Sequence, residues 1–290
     1  MQLDMQLAIT TIINMLVLSS MYVVVALGFA FLFSIMGILN FSHGAIYMVS
    51  GYICYQFAVE YGLNQWLSLL LTVAIVGLFG LFLERFFFRR FFGDMNGTIV
   101  VCIAIIIILQ TTVNITVGTQ TRSLPDFISG MLQNDVISIA MDRALTFVIG
   151  GVLLAVMIWF IKSTKAGMQM QAISQNIEGS SLQGINIHRV SAIACIMACA
   201  MAALAGCLMG AIFNLSPFAG DNMLSKALEL VILGGIGGIG GVFFAGLIIG
   251  AIDAILPIFV GGAGSSAIAI AVIVVIMLFR PQGLFGREVS

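Results

Sequence analysis

Between Ala8 and Leu39 the chain carries no charged side chain, and several later stretches repeat that pattern. A hydrocarbon core about 30 Å thick needs roughly 20 apolar residues per crossing helix, and these runs reach that length. Charge is scarce everywhere else too: of 290 residues, 61% are hydrophobic and 8% are charged. Soluble domains carry about a quarter charged residues, because a folded surface must be wetted. With 11 basic and 12 acidic side chains the chain cannot cover itself against water. Lipid must solvate it, which makes it an all-α integral membrane protein, a polytopic bundle.

Several classes drop out. A net charge of −1 gives no basic footprint for nucleic acid. The cysteines Cys54, Cys102, Cys195, Cys199 and Cys207 lie in apolar runs without a CxxC spacing, so no zinc or redox site is indicated. They read as small packing residues. Met1 to Gln6 lacks a basic segment and no A-x-A-like site follows, so no removable signal peptide is expected. None of the lysines, Lys162, Lys165 and Lys226, sits in a Gly-Lys-Ser/Thr phosphate loop, so any ATP use belongs to another polypeptide. H-E-x-x-H and G-x-S-x-G are missing. Gly235-Ile236-Gly237-Gly238-Ile239-Gly240 fits G-x-G-x-x-G in letters only, because that motif needs a strand before it and an acid about 20 residues later. No cofactor is expected in this chain.

Apolar segments are expected as helices at Ala8–Leu39, Ala45–Val59, Trp66–Phe88, Thr98–Val117, Ala144–Ile161, Val190–Phe213 and Ser266–Phe279. Met223–Pro257 is apolar but interrupted by glycines from Gly234 to Gly241. Arg85, Arg89, Arg90, Lys162, Lys165, Arg189, Arg280 and Arg287 share one face of this arrangement, leaving Arg122, Arg143 and Lys226 for the other. The larger set marks the cytoplasm. The C-terminus is then cytoplasmic and, by parity, the N-terminus outside.

Parity also requires Met223–Pro257 to enter and return. About 11 residues before the glycines reach only half-way at 1.5 Å per residue. A half-helix, a glycine break near the membrane interior or its inner edge, and a returning helix follow. The expected total is about 8 full helices plus the half-helix, in a single domain over 1–290. Irregular backbone at depth survives only where protein buries it or a cavity hydrates it. Fourfold small-residue stripes, Ala194-Ala198-Ala202-Gly206-Gly210 and Gly246-Gly250-Ala254, let helix backbones approach closely.

Polar groups at depth are costly and mark candidate function. Asn40, Ser42 and His43 sit at a helix junction, where they either cap it or line a path. Glu229 and Asp253 fall in the half-helix and the returning helix, and are either path residues or neutral hydrogen-bonding groups. Gln110 and Asn114 share a helix face and suit bonds between helices. The longest polar segment, 162–189, reads as two short cytoplasmic helices, with Asn176 as N-cap, Glu178 in the first turn and Gly184 as the stop. Such a pair suits docking to a soluble partner; as a bare pattern it also suits a solvated connector.

Four motifs then appear in order: Gly37-Ile38-Leu39-Asn40-Phe41-Ser42-His43-Gly44; Gly167 through Leu182-Gln183-Gly184-Ile185-Asn186; Leu233-Gly234-Gly235-Ile236-Gly237; and Leu278-Phe279-Arg280-Pro281-Gln282-Gly283-Leu284-Phe285-Gly286. Across nearly its whole length the chain resembles the LivH-type permeases of branched-chain amino-acid ABC importers. It departs from that pattern at Gln171, Ile177, Gly179-Ser180-Ser181 and Asp253.

The resemblance implies a permease of the inner membrane that catalyses no covalent chemistry. A LivM-like second permease, or a second copy of this chain, would complete the path. Two ABC ATPases would supply ATP hydrolysis, and a periplasmic binding protein the solute. The implied pathway residues are Asn40, Ser42, His43, Glu229, Gly234, Gly235, Gly237 and Asp253; those implied for ATPase coupling are Gly167, Ala172, Asn176, Glu178, Leu182, Gly184 and Ile185. Branched-chain amino acids are the implied cargo, with urea or short amides as the alternative. The competing class is an ATP-independent secondary transporter or channel, which has no reason to present the 162–189 segment. An intramembrane enzyme lacks any nucleophile–base pair.

Overall fold

The computed structural model describes residues 2–91, 94–134, 137–235, 239–280 and 282–285. Gly237, expected in the glycine break, and Arg287, expected on the cytoplasmic face, lie outside them. Eleven α-helices follow in chain order: α1 (Gln2–Met36), α2 (His43–Tyr55), α3 (Gln65–Phe86), α4 (Met95–Thr116), α5 (Met141–Ser163), α6 (Lys165–Gln175), α7 (Ile177–Leu182), α8 (Ile187–Ile212), α9 (Ala219–Gly234), α10 (Ile239–Ile255) and α11 (Pro257–Phe279). A π-helical turn, Gln56–Glu60, extends α2, and a 3-10 turn, Phe88–Phe91, follows α3. An antiparallel hairpin, β1 (Met131–Asn134) and β2 (Ile137–Ala140), pairs Met131 with Ala140 ahead of α5. The all-α expectation missed this hairpin, because the polar stretch after α4 lacks an extended alternating run.

Among the described residues, α1, α3, α4, α5, α8 and α11 are long and apolar enough to cross a membrane. By length alone the described helices do not reach the expected count of about 8, because α2, α9 and α10 have 13, 16 and 17 residues. A run of roughly 20 is needed to span. Two spans form the centre: the apolar windows of α1 and α8 are 78% and 67% buried, against 17% for α5 and α11. The difference assigns α5 and α11 to the periphery, where a lipid or partner must cover them.

Small residues explain how the centre closes. A Cβ on Gly206 of α8 would strike the Tyr47 carbonyl of α2, and Gly44 of α2 and Gly220 of α9 leave no room for a Cβ on either. Gly80 of α3 lies against Cys195 and Cys199 of α8, while Gly246 and Gly250 of α10 lie against Val23 and Ser19 of α1. Both sequence stripes thus sit at helix crossings, where packing replaces the hydrophobic drive that lipid removes.

Two breaks interrupt the spans. Helix α1 stops at Gly37, whose φ of 64° ends it with a left-handed residue. The chain then runs back along α1, and α2 starts beside Val25, well inside that helix. Helix α9 stops at Gly235, with φ of 96°. Leu284 and Phe285 donate their backbone N–H groups to the Leu233 and Gly234 carbonyls at 2.9 and 3.1 Å. The C-terminal segment so satisfies carbonyls that the helix end would otherwise leave unpaired. The break adjoins the end of the bundle that carries α6 and α7, and Gly240 and Phe285 share a cleft with α6 residues.

Candidate translocation pathway and coupling surface

The α1–α2 junction is a closed hydrogen-bonded knot. The Asn40 side-chain oxygen accepts from the Ser42 N–H at 3.1 Å, the Ser42 hydroxyl at 2.5 Å and the Cys102 thiol at 3.5 Å. His43 Nε2 lies 3.1 Å from the Val25 carbonyl, and its ring meets Phe29 edge-on. All three polar side chains are buried. Through these bonds Asn40 and His43 tie the turn between α1 and α2 to its surroundings. Asn40 Nδ2 and His43 Nδ1 have no hydrogen-bond partner here.

A second cluster gathers four helices. Lys226 Nζ lies 3.1 Å from Glu229 on its own helix and 2.9 Å from Asp253 on α10. The Tyr22 hydroxyl of α1 donates to Asp253 at 2.9 Å, and the Ser265 hydroxyl of α11 reaches the other Asp253 oxygen at 3.4 Å. The charged side chains are only 13–15% exposed. Sequence reasoning assigned Lys226 to the outer face by counting charges. Its i,i+3 spacing to Glu229 was the available signal that it belongs to an ion-paired helix face.

Helix α9 carries a polar stripe beyond that cluster. Asp221, Asn222 and Ser225 are exposed, and Asp221 accepts from Gln110 of α4 at 3.0 Å. That bond fits the interhelical reading of Gln110, whereas Asn114 Oδ1 is buried without a partner. An exposed polar stripe within an apolar bundle needs water or a polar partner beside it. Gly234 and Gly235 are placed differently: Gly234 packs on Gly241, and Gly235 on Gly283, backbone to backbone.

Helices α6 and α7 project from the end of α5. Thr164 caps α6 by accepting from the Gly167 N–H at 3.0 Å, and Asn176 caps α7 by accepting from Gly179 at 2.8 Å. Gly184, with φ of 80°, turns the chain into α8. Gly167 is buried against the end of α5, where a Cβ would meet the Phe160 carbonyl. Met170 and Ile173 bury one face of α6. Ala172 and Ile185 are half-buried; Asn176, Glu178, Leu182 and Gly184 are exposed. Apolar side chains stand out on this otherwise polar surface: Met168, Ile177 and, at 89% exposure, Leu182. A cleft of about 920 Å³ opens between α6–α7 and the adjoining ends of α1 and α5, lined by Gln171, Asn176 and Glu178 among others.

Next to it, Glu84 is fully buried. Its carboxylate accepts from Arg89 at 3.0 and 3.3 Å and from the Ser191 hydroxyl at 3.2 Å. Sequence reasoning used Arg89 only as a topological charge and missed this bond. Among the described residues no group of three or more His, Cys, Asp or Glu side chains could hold a metal ion.

Against this geometry the comparisons with known proteins agree. The family described as branched-chain amino acid transport system / permease component matches residues 11–280. The high-affinity branched-chain amino acid transport system permease protein LivH of Salmonella typhimurium is 27% identical over 289 residues, covering 94% of both chains. BraD of Pseudomonas aeruginosa, described by the same transport system, is 26% identical and covers 95% of both. PsaBC from Streptococcus pneumoniae, solved in complex with Fab, shares the fold with a TM-score of 0.53. That match covers 93% of this chain and 91% of the other at 12% identity, which carries architecture and nothing finer.

Proposed function

This chain belongs to the branched-chain amino acid transport permease family, and we propose that it is the membrane-spanning permease subunit of an ABC importer for branched-chain amino acids. Its relatives named LivH and BraD are permease proteins of high-affinity branched-chain amino acid transport systems. The observation that carries the reading is the α6–α7 pair: two capped short helices at one end of the bundle, presenting Leu182 and Ile177 where water would otherwise meet them. An exposed apolar tip on a polar, rigidly held element is what a soluble partner can grip.

In this reading segment 162–189 takes an ABC ATPase through Ala172, Asn176, Glu178, Leu182, Gly184 and Ile185, with Gly167 seating α6 on α5. The chain itself holds no cofactor; ATP and its magnesium belong to the ATPases. A LivM-like permease covers the polar stripe of α9, and the path runs between the two subunits past Glu229 and Asp253. Asn40, Ser42 and His43 hold the backbone turn behind that path, and Gly234 and Gly235 form its inner hinge. A periplasmic binding protein delivers the solute at the other mouth. The basic residues Arg85, Arg89, Arg90, Lys162 and Lys165 set the α6–α7 end in the cytoplasm. The N-terminus then lies outside, with residues 1–290 one permease domain in the inner membrane. Switching between outward- and inward-open states follows from ATP closing the ATPases on two conformations with different affinity.

The test is reconstitution with the neighbouring ATPases, partner permease and binding protein in proteoliposomes. Uptake of leucine, isoleucine or valine that needs ATP and the liganded binding protein is the expected result. Solute crossing down its gradient without an ATPase would overturn the reading.

A further inference from the structure

Three charges meet between α9 and α10: one ammonium, Lys226, and two carboxylates, Glu229 and Asp253. The ammonium is shared. One partner sits on its own helix at 3.1 Å and the other across the gap to α10 at 2.9 Å. Asp253 has support of its own, from the Tyr22 hydroxyl of α1 at 2.9 Å and the Ser265 hydroxyl of α11. The Lys226 ammonium also lies 5.8 Å from the Tyr22 ring centroid.

These contacts differ from those of a simple brace. In a brace, parting the helices strands a charge on each side, which a low-dielectric setting penalises heavily. Here, parting α9 from α10 leaves Lys226 on Glu229, and leaves Asp253 accepting from the Tyr22 hydroxyl at 2.9 Å. The ammonium then keeps a carboxylate, and the Asp253 carboxylate keeps a hydroxyl donor that lowers the cost of losing its cation. We propose that Lys226 is a positioning residue for transport, an exchangeable counter-ion that lets α9 separate from α10 and reclose during the cycle. The proposal rests on the alternating-access reading above. Its distinctive consequence is that Glu229, which the closed interhelix pair does not need, is required for turnover.

The decisive variant is Glu229→Gln in the full reconstituted complex, measured as solute uptake against solute concentration alongside ATP hydrolysis. It keeps the Lys226–Asp253 pair, so the fold is not at stake. Turnover is expected to fall roughly tenfold, within the usual range of coupling between sites, at an unchanged half-saturating concentration. Normal turnover in Glu229→Gln, with only Asp253→Asn impaired, would identify a static brace and overturn the exchange. A raised half-saturating concentration at normal turnover would make Glu229 a solute contact instead, and overturn it too.

Exchanging the charges, Lys226→Asp with Asp253→Lys, keeps one ammonium between two carboxylates. When α9 and α10 part, however, that ammonium has no carboxylate on its own helix. The swap is therefore expected to restore folding without turnover, and recovery of most of the turnover counts against the proposal. A wild-type complex that takes up nothing on ATP hydrolysis would overturn the functional reading as well; a transporting wild type with indifferent variants overturns the exchange alone.

Discussion

Arg89 lays its guanidinium along the Glu84 carboxylate, with Nε 3.3 Å from one oxygen and Nη2 3.0 Å from the other. Glu84 has no exposed side-chain surface, while Arg89 is 37% exposed. The pair therefore closes the turn after α3 over a buried charge. Ser191 ties the same carboxylate to the start of α8. Removing the arginine alone leaves a buried charge unpaired, which costs about 3–5 kcal/mol when both partners are buried. The exposure of Arg89 lowers this, so Arg89→Ala is expected to cost about 2 kcal/mol in detergent unfolding. Adding Glu84→Gln should return part of that loss, and the double-mutant cycle measures how much.

The α2–α8 crossing leaves no room at Gly206, where a Cβ would strike the Tyr47 carbonyl. Backbone cannot swing aside as a side chain can. Gly206→Ala is expected to destabilise by roughly 1–3 kcal/mol, and Gly206→Val to abolish the folded protein in fluorescence-detected size exclusion. Gly151, with open space where its Cβ would point, should accept alanine without loss.

Leu182 is 89% exposed at the tip of α7 and touches little of its own chain. Leu182→Asp should leave stability within about 0.5 kcal/mol, as surface changes do. Co-purification with the ATPases and ATP-driven uptake should both fall sharply. Retained ATPase binding would move the docking surface elsewhere.

Asn176 holds the start of α7 through its bond to the Gly179 N–H at 2.8 Å. Loss of such a cap costs about 1 kcal/mol, and here the cost falls on the helix that presents Leu182. Asn176→Ala is expected to lower ATP-coupled uptake several-fold while Asn176→Asp, which caps equally well, restores it. Melting temperature of the isolated subunit should barely move.

All five cysteines are buried and free. A membrane-impermeant maleimide should therefore leave the native protein unlabelled. Against that background Leu182→Cys is expected to react in inside-out vesicles and not in right-side-out ones. The opposite pattern would reverse the proposed orientation.

Much of this was written in the sequence. The apolar runs, the near absence of charge and the fourfold small-residue stripes required lipid-solvated helices packed backbone to backbone. The caps at Asn176 and the stop at Gly184 followed from local chemistry that needs only a few neighbouring residues, so they were legible one segment at a time. Lys226 was not, because counting charges assigns a residue to a surface and ignores what lies across from it. Its partner Asp253 is close only once α9 and α10 fold back on each other. Glu84 and Ser191 were silent for the same reason.

The sequence by itself determined the solvent, the class of fold and local signals such as the cap at Asn176 and the stop at Gly184, since those depend on composition and on short-range backbone bonding. Helices α9 and α11 begin at Ala219 and Pro257, ahead of the Met223 and Ser266 that the apolar pattern suggested. Only the tertiary structure decided that α2 begins deep beside Val25, that three of the helices fall short of a full span, and which of the few charges meet. Those outcomes depend on which surfaces close on which, and in a chain this apolar almost any pair of helices satisfies the hydrophobic pattern equally well. The glycine contacts at the crossings and the pairing of the scarce charges are what single out one arrangement.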